Sequence, residues 1–428
     1  MVYSVLLLII IILFMIADID KKGLDISSPI LLFSFMQAIS LLIQILSFIF
    51  YGLKPKYEFN IWSFIIVLCS YLSFYFGASL FEKGKMINNA IKSYNSSKNE
   101  SSIAFYLTAA IGIIGTFISL KNMIVFKNPL LFLLYNYNYF DMYFKTSSIG
   151  SILWLSNIAS LFWYNFSKKK IIDKLLAIIC FINILFRAAY LYIIIGVFYF
   201  CIPQAILNKK NKKANNKDIL IYFVIIGILI IAIPFISYSQ VSIREGEYFI
   251  KIYPYTAGSF SNLAYYANSL ILSGPENMHN SRNIFRDLGF GQIMIYIDKY
   301  LNTNLYQEPI NSGFLNQIEG IEEEGNMSSI YLTVVKNPIL IGESMLFILG
   351  ALSSILRKYS INNLFFMSSL CFFSAANFLS FSGGGHFATT RFFPALLYIW
   401  PFLLLKMIIK TALSKNTLQY KCASNNLQ

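Results

Sequence analysis

Apolar residues in this chain fall in long unbroken runs. They show neither the two-residue alternation of strands nor the one-sided stripe of a soluble helix. The runs lie at about 2–17, 29–51, 61–81, 102–120, 149–166, 171–186, 188–207, 219–238, 338–356, 362–381 and 392–410. Most reach the roughly 17–25 residues a helix needs to cross a hydrocarbon core. The pattern predicts an all-α, polytopic integral membrane protein with about 11 transmembrane helices. No internal repeat is visible, which argues against transporter folds built from inverted repeats. One interruption is long. It divides the chain into residues 1–238 with eight helices, a loop at 239–337, three helices at 338–410 and a tail at 411–428.

Composition agrees with this division. The chain is 57% hydrophobic and only 13% charged, with mean hydropathy +0.61; a soluble domain carries about twice that charged fraction. The run from Val2 to Ala17 lacks a basic leading region and a small-residue cleavage site, so it reads as a first span and not a signal peptide.

Charge then sets the expected orientation. Of the 34 Lys and Arg residues, 21 collect in alternate gaps: Lys21 and Lys22; Lys83, Lys85, Lys92 and Lys98; Lys168, Lys169, Lys170 and Lys174; Lys209, Lys210, Lys212, Lys213 and Lys217; Arg357 and Lys358; and Lys406, Lys410, Lys415 and Lys421. Basic loops stay in the cytoplasm. This predicts a bacterial inner (cytoplasmic) membrane protein with its N-terminus outside and its C-terminus inside. The net charge of +14 belongs to short gaps that meet anionic headgroups, so no nucleic-acid partner is expected. The polar stretches Ser93–Ser102 and Asn208–Asp218 read as solvated cytoplasmic loops.

The long loop therefore faces outward, and any chemistry is expected there. It mixes aromatic residues with Asn, Gln and Ser, a composition suited to stacking on sugar rings and bonding their hydroxyls, though equally that of any wet interfacial loop. Apolar spacing from Phe260 to Leu272 predicts a short outer helix. Residues 121–148 read as an amphipathic or re-entrant segment at the same face. A tight outer turn places Arg187 at or just below the membrane surface. Cys69, Cys180, Cys201, Cys371 and Cys422 have no CxxC spacing, so neither a metal site nor a disulfide framework is indicated. No P-loop, HExxH, GxSxG or kinase pattern is present. Gly383, Gly384 and Gly385 form a turn on the outer side, where ATP is absent. A reaction there needs a substrate that carries its own activation, a condition met by sugars on a lipid pyrophosphate.

Three local patterns carry a resemblance. Arg187 stands in Leu185–Leu191 with a small residue after it, at the head of a span. Arg244 is followed by the aromatic-Gly stretch Tyr255–Tyr265. Asn326–Tyr331 leads through Pro338 and Gly342 into the ninth span. With the size and layout, these make the chain resemble the O-antigen polymerase (Wzy-type) family, the oligosaccharide repeat-unit polymerases. It departs from the family pattern in having Ala188, where Gly usually follows the arginine.

The resemblance implies a GT-C-like fold and a metal-independent glycosyl transfer with no cofactor. A growing glycan on undecaprenyl pyrophosphate would move onto a new undecaprenyl-pyrophosphate-linked oligosaccharide. A chain-length regulator and a flippase are implied as partners, alongside membrane lipid. Arginine holds a diphosphate in bidentate fashion better than lysine does, and a base must take the acceptor proton.

The expected catalytic residues are Arg187, Arg244 and, as base, His386. The expected substrate-binding residues are Arg391, Arg282, Arg286, Tyr255 and Tyr265. Each has an ordinary reading beside this one: Arg187 snorkelling to headgroups, Arg244 as an interfacial anchor, His386 as a solvated turn residue, and Arg282 and Arg286 facing water. His279, Glu245 and Glu247 are weaker candidates for the base. The run Glu322–Glu324 reads as solvated loop, and Trp154, Trp163 and Trp400 as interface anchors. Two rival functions stand: an O-antigen ligase using the same donor, and a lipid-linked glycan flippase or transporter. A flippase should carry charge through many spans, whereas spans one to five are nearly free of it.

Overall fold

A computed structural model describes residues 1–23, 25–82, 98–121, 148–186, 190–210, 253, 257–273, 298, 301–303, 315–316, 319–320, 324–325, 330–336, 339–361, 363–381, 393–405 and 407–408. The helices in chain order are α1 (Val2–Lys22), α2 (Pro29–Tyr51), α3 (Ile61–Glu82), α4 (Lys98–Lys121), α5 (Ser148–Trp154), α6 (Ser156–Tyr164), α7 (Ile171–Phe186), α8 (Tyr190–Lys210), α9 (Gly258–Ser273), α10 (Tyr331–Lys336), α11 (Ile339–Ser360), α12 (Leu364–Phe378) and α13 (Phe393–Leu397). A 3-10 turn, Leu379–Phe381, extends α12. Among the described residues the extended structure is one antiparallel ladder, β1 (Leu315–Asn316) with β2 (Glu324–Gly325). Five described helices, α1, α2, α3, α4 and α11, are long and apolar enough to cross a membrane, so the expected transmembrane character is supported. The predicted run 219–238 and the tail 411–428 lie outside the described residues.

Helix α2 is the hub. Its ends are written in the sequence. The Ser28 side chain accepts from the Leu31 backbone N–H, Pro29 stands at the first turn, and Gly52 closes the helix at φ 64°, with the Leu53 N–H returning to Ser47 O at 3.2 Å. Proline at the start and a left-handed glycine at the end are the expected signals. Between them α2 joins two cores. Ile30, Phe33 and Leu41 pack with α1, α3, α9, α10 and α11. Leu31, Leu32 and Met36 pack with α4 to α8 and α12. Helix α1 is peripheral and presents Leu6, Ile9, Leu13 and Ile16 outward, as a lipid-facing helix should.

Helices α3 and α11 run parallel in close contact. A Cβ on Gly77 would lie 2.0 Å from the Phe347 carbonyl oxygen, and one on Gly350 would lie 2.2 Å from that of Phe74. Small residues let backbones approach like this where no hydrophobic effect drives helices together.

The connections gather at two ends. At one, the turn after α1 meets the last turn of α11: Arg357 Nη2 lies 2.5 Å from Asp25 Oδ2, and Asp18 accepts from Ser28 Oγ at 2.7 Å. The Lys168 N–H reaches Ser102 Oγ at 3.3 Å, joining the starts of α4 and α7. At the other end the α2–α3 connection meets α9 and the β-ladder, with the Glu319 N–H on Lys54 O at 3.0 Å. The Arg357–Asp25 and Lys168–Ser102 contacts each join segments that the sequence assigns to one side.

Four expectations need correction. Trp154 is fully buried and donates to Asn183 O at 2.8 Å, and Trp163 is also buried, so neither anchors an interface. The fifth run is broken at Leu155 into α5 and α6, because the polar group Ser156, Asn157 and Ser160 bonds to backbone oxygens at and beyond this joint. Arg357 lies inside α11, which continues to Ser360, and is buried against Asp25. Ser101 and Ser102 are buried in α4 and do not belong to a solvated loop.

Candidate functional site

The predicted outer-loop helix is present as α9. Phe260 and Leu263 on one face enter the core of α2, α3 and α10. Phe260 meets Phe59 edge-on at 6.0 Å and Tyr331 at 6.3 Å. The opposite edge is polar and aromatic. Tyr265, 38% exposed, packs on Tyr57 with ring centroids 4.7 Å apart, and Tyr266 lies against Tyr265 at 5.2 Å. The Tyr57 N–H donates to Ser261 Oγ at 3.4 Å. Asn60 Nδ2 donates to Asn268 Oδ1, while Asn60 Oδ1 caps α3 by accepting from the Ser63 N–H at 3.0 Å. One residue therefore both starts a helix and pins α9 beside it.

The result is a platform of three tyrosine rings flanked by amides. Burial, then the neighbouring Tyr265, raises the Tyr57 pKa; burial raises that of Tyr266, with Tyr265 and Tyr57 adding to it. These phenols stay neutral at physiological pH.

A polar seam runs along α2. Gln37, Ser40, Gln44 and Ser47 recur at helical spacing on one face, and all are fully or almost fully buried. Gln37 Nε2 donates to Ser380 Oγ at 3.1 Å. Among the described residues Gln37 Oε1 and Ser47 Oγ have no hydrogen-bond partner, and Gln44 and the Tyr253 hydroxyl have none but each other. Gln44 faces Tyr253, whose phenol burial pushes up and Gln44 partly brings back. Buried polar atoms are rarely left unpaired, and this row is uncharged, so it suits hydroxyl groups better than ions.

The seam reaches deep. Gln37 lies about 12 Å from the Pro29 end of α2 and about 21 Å from Tyr51, at 1.5 Å per residue. Ser380 is held at this depth from two sides, since its carbonyl also accepts from the Ile330 N–H at 2.9 Å.

A further residue escaped the sequence reading. Glu343 of α11 is partly buried, and its two oxygens accept from Ser70 at 2.8 Å and Ser73 at 2.7 Å. These serines lie about 14–18 Å along α3 from Ile61, so the carboxylate sits well inside the bundle. Its signal was available: it is the sole charged residue of the run 338–356, and an acid within a span is a functional candidate by default. Of the predicted site residues, Tyr265 is placed on the platform. Arg187, Arg244, Tyr255, Arg282, Arg286, His386 and Arg391 lie outside the described residues, as do His279, Glu245 and Glu247. No metal-binding cluster of His, Cys, Asp or Glu occurs among the described residues.

The chain matches no family model, no curated protein and no solved structure.

Proposed function

We propose that this protein polymerises undecaprenyl-pyrophosphate-linked oligosaccharide repeat units into a surface polysaccharide, O-antigen or capsule, at the outer face of the bacterial inner membrane. The observation that carries the reading is the tyrosine platform of α9, together with the uncharged, buried seam of α2. The platform offers rings for sugar faces at the end of the bundle away from the Arg357–Asp25 pair, and the seam offers amides for sugar hydroxyls deeper within the bundle. Positive-inside placement puts that end outside.

In the proposed reaction the hydroxyl of the new unit's terminal sugar attacks the anomeric carbon of the growing chain. The bond from that carbon to the pyrophosphate oxygen breaks, and the pyrophosphate departs on its lipid. Arg187 and Arg244 would hold the departing diphosphate, with Arg391, Arg282 and Arg286 as further ligands. His386 would take the acceptor proton. Tyr255, Tyr265 and Tyr57 would position sugar rings.

Deletion of the gene in its host, with the surface glycan resolved by size, tests the reading. Collapse of a ladder to a single repeat unit is expected. Full-length polymer stranded on the lipid carrier would mean a ligase instead, and single units trapped on the cytoplasmic side a flippase.

A further inference from the structure

Helices α7 and α8 pack closely near Ile184 and Gly196 and stand apart farther along. A Cβ on Gly196 would lie 3.1 Å from the Ile184 side chain. Both helices then pack on α6, but a groove of about 450 Å³ separates them. Ala177, Ile178 and Phe181 of α7 line one wall, with Val197, Phe200 and Cys201 of α8 opposite; Leu161 and Tyr164 of α6 complete the lining.

The lining is apolar except at its mouth, where Lys174 stands in the second turn of α7. Lys168, Lys169 and Lys170 are exposed immediately before that helix. The nearby acid, Asp173, is buried and accepts from the Lys170 N–H at 3.1 Å and from the Tyr106 hydroxyl. One carboxylate stands against four exposed lysines, so the mouth is net positive.

Volume selects the occupant. The groove is near the lower end of the roughly 300–1,000 Å³ range of small-ligand pockets. A helix about 10 Å across fills on the order of 400 Å³ with one turn, so a partner helix does not fit along it, whereas a single flexible chain does. A basic mouth between helices on the cytoplasmic side is the arrangement that holds an anionic headgroup. We infer that this groove is a binding site for an anionic phospholipid of the cytoplasmic leaflet, with one acyl chain between α7 and α8 and its phosphate on Lys174. The inference does not depend on the polymerase reading, since the groove lies at the opposite end of the bundle from the platform.

The test uses the purified full chain in neutral detergent. Phosphatidylglycerol and phosphatidylcholine with identical acyl chains are added separately. Retained lipid is counted by native mass spectrometry, and the melting temperature is recorded. Wild type should retain phosphatidylglycerol at least fivefold more than phosphatidylcholine and melt several degrees higher with it. Lys174→Gln should lose most of the preference, and added salt should weaken it. Ala177→Phe, which fills the groove, should lower retention of both lipids. Equal retention of the two lipids by wild type overturns the site. So does an undiminished preference in Lys174→Gln, which needs no core repacking and remains informative where Ala177→Phe fails to fold. Inorganic phosphate should leave the melting temperature unchanged; the same stabilisation by phosphate alone would mean an anion site and no lipid.

Discussion

The Gln37 amide donates to the Ser380 hydroxyl at 3.1 Å across 343 residues of sequence. This contact ties the middle of α2 to the 3-10 turn that follows α12. Replacing Gln37 by Leu removes the bond together with an unpaired acceptor of the seam. A lost neutral hydrogen bond costs only about 1 kcal/mol of stability, so the protein should still accumulate in the membrane and melt within a few degrees of wild type. Polymer yield should nevertheless fall about tenfold in a surface-glycan gel. An unaltered ladder at normal protein level would exclude the seam from the site.

The platform makes a prediction that separates ring from hydroxyl. Tyr265→Ala should shorten the glycan ladder several-fold, and Tyr57→Ala should do the same, because each removes a ring from the 4.7 Å pair. Tyr265→Phe keeps the stacking surface and should retain most activity. Equal loss in Tyr265→Phe and Tyr265→Ala would show that the phenol, and not the ring face, is what matters.

Arg357 and Asp25 form a buried ion pair at 2.5 Å, with each side chain 8% exposed; Arg357 Nε also donates to Ser27 Oγ at 3.3 Å. Removing one partner leaves the other as a buried, uncompensated charge, which costs about 3–5 kcal/mol. Arg357→Met alone should therefore lower the melting temperature sharply. The double replacement Arg357→Met with Asp25→Leu should recover much of the loss, a result read directly from a double-mutant cycle.

Contact between α3 and α11 depends on two missing side chains. A Cβ at position 350 would lie 2.2 Å from Phe74 O and 2.9 Å from Ala78 N. These are backbone atoms and cannot turn aside. Gly350→Val should force the helices apart and reduce folded protein in the membrane several-fold by detergent-resistant size-exclusion chromatography. The same change at Gly52, where nothing lies within 4 Å of an added Cβ but φ is +64°, should cost far less and act through backbone strain alone.

Tyr57 and Tyr266 have pKa values raised in the fold, by burial first and by neighbouring phenols second. A raised phenol favours the protonated form in the native state. Below pH 10 both states hold that proton and these groups give no pH dependence; as pH rises through 10 the unfolded chain releases it first and stability falls. Thermal melts should therefore show no contribution from Tyr57 and Tyr266 between pH 6 and 9 and a decline above pH 10. Substituting both tyrosines by Phe should reduce that alkaline decline.

Much was legible from the sequence because a bilayer imposes length and polarity on each segment separately. The bounds of α2, α3 and α7 follow the apolar runs 29–51, 61–81 and 171–186 closely, and α9 appears where Phe260–Leu272 predicted a helix. Tyr265 was placed correctly on that helix, but its partner Tyr57 could not be foreseen, being about 200 residues away on another connection. Trp154 illustrates the opposite error. A tryptophan near the end of an apolar run looks like an interface anchor, and only the packing of α5 against α7 gives its N–H the Asn183 carbonyl. Glu343 is hard to single out from the sequence because one acid does not disturb a run of mean hydropathy 2.0.

The sequence by itself determined that the chain is helical and membrane-spanning, and where most helices begin and end. Those properties are set residue by residue, by the cost of exposing backbone and charge to hydrocarbon. Only the tertiary structure decided which faces meet. It made α2 the shared wall of two cores, turned Gln37 and Gln44 inward, set Glu343 between Ser70 and Ser73, and opened α7 from α8 into a groove. In a membrane, apolar faces do not distinguish lipid from protein, so the choice falls to small residues and hydrogen bonds whose partners lie far away in the chain.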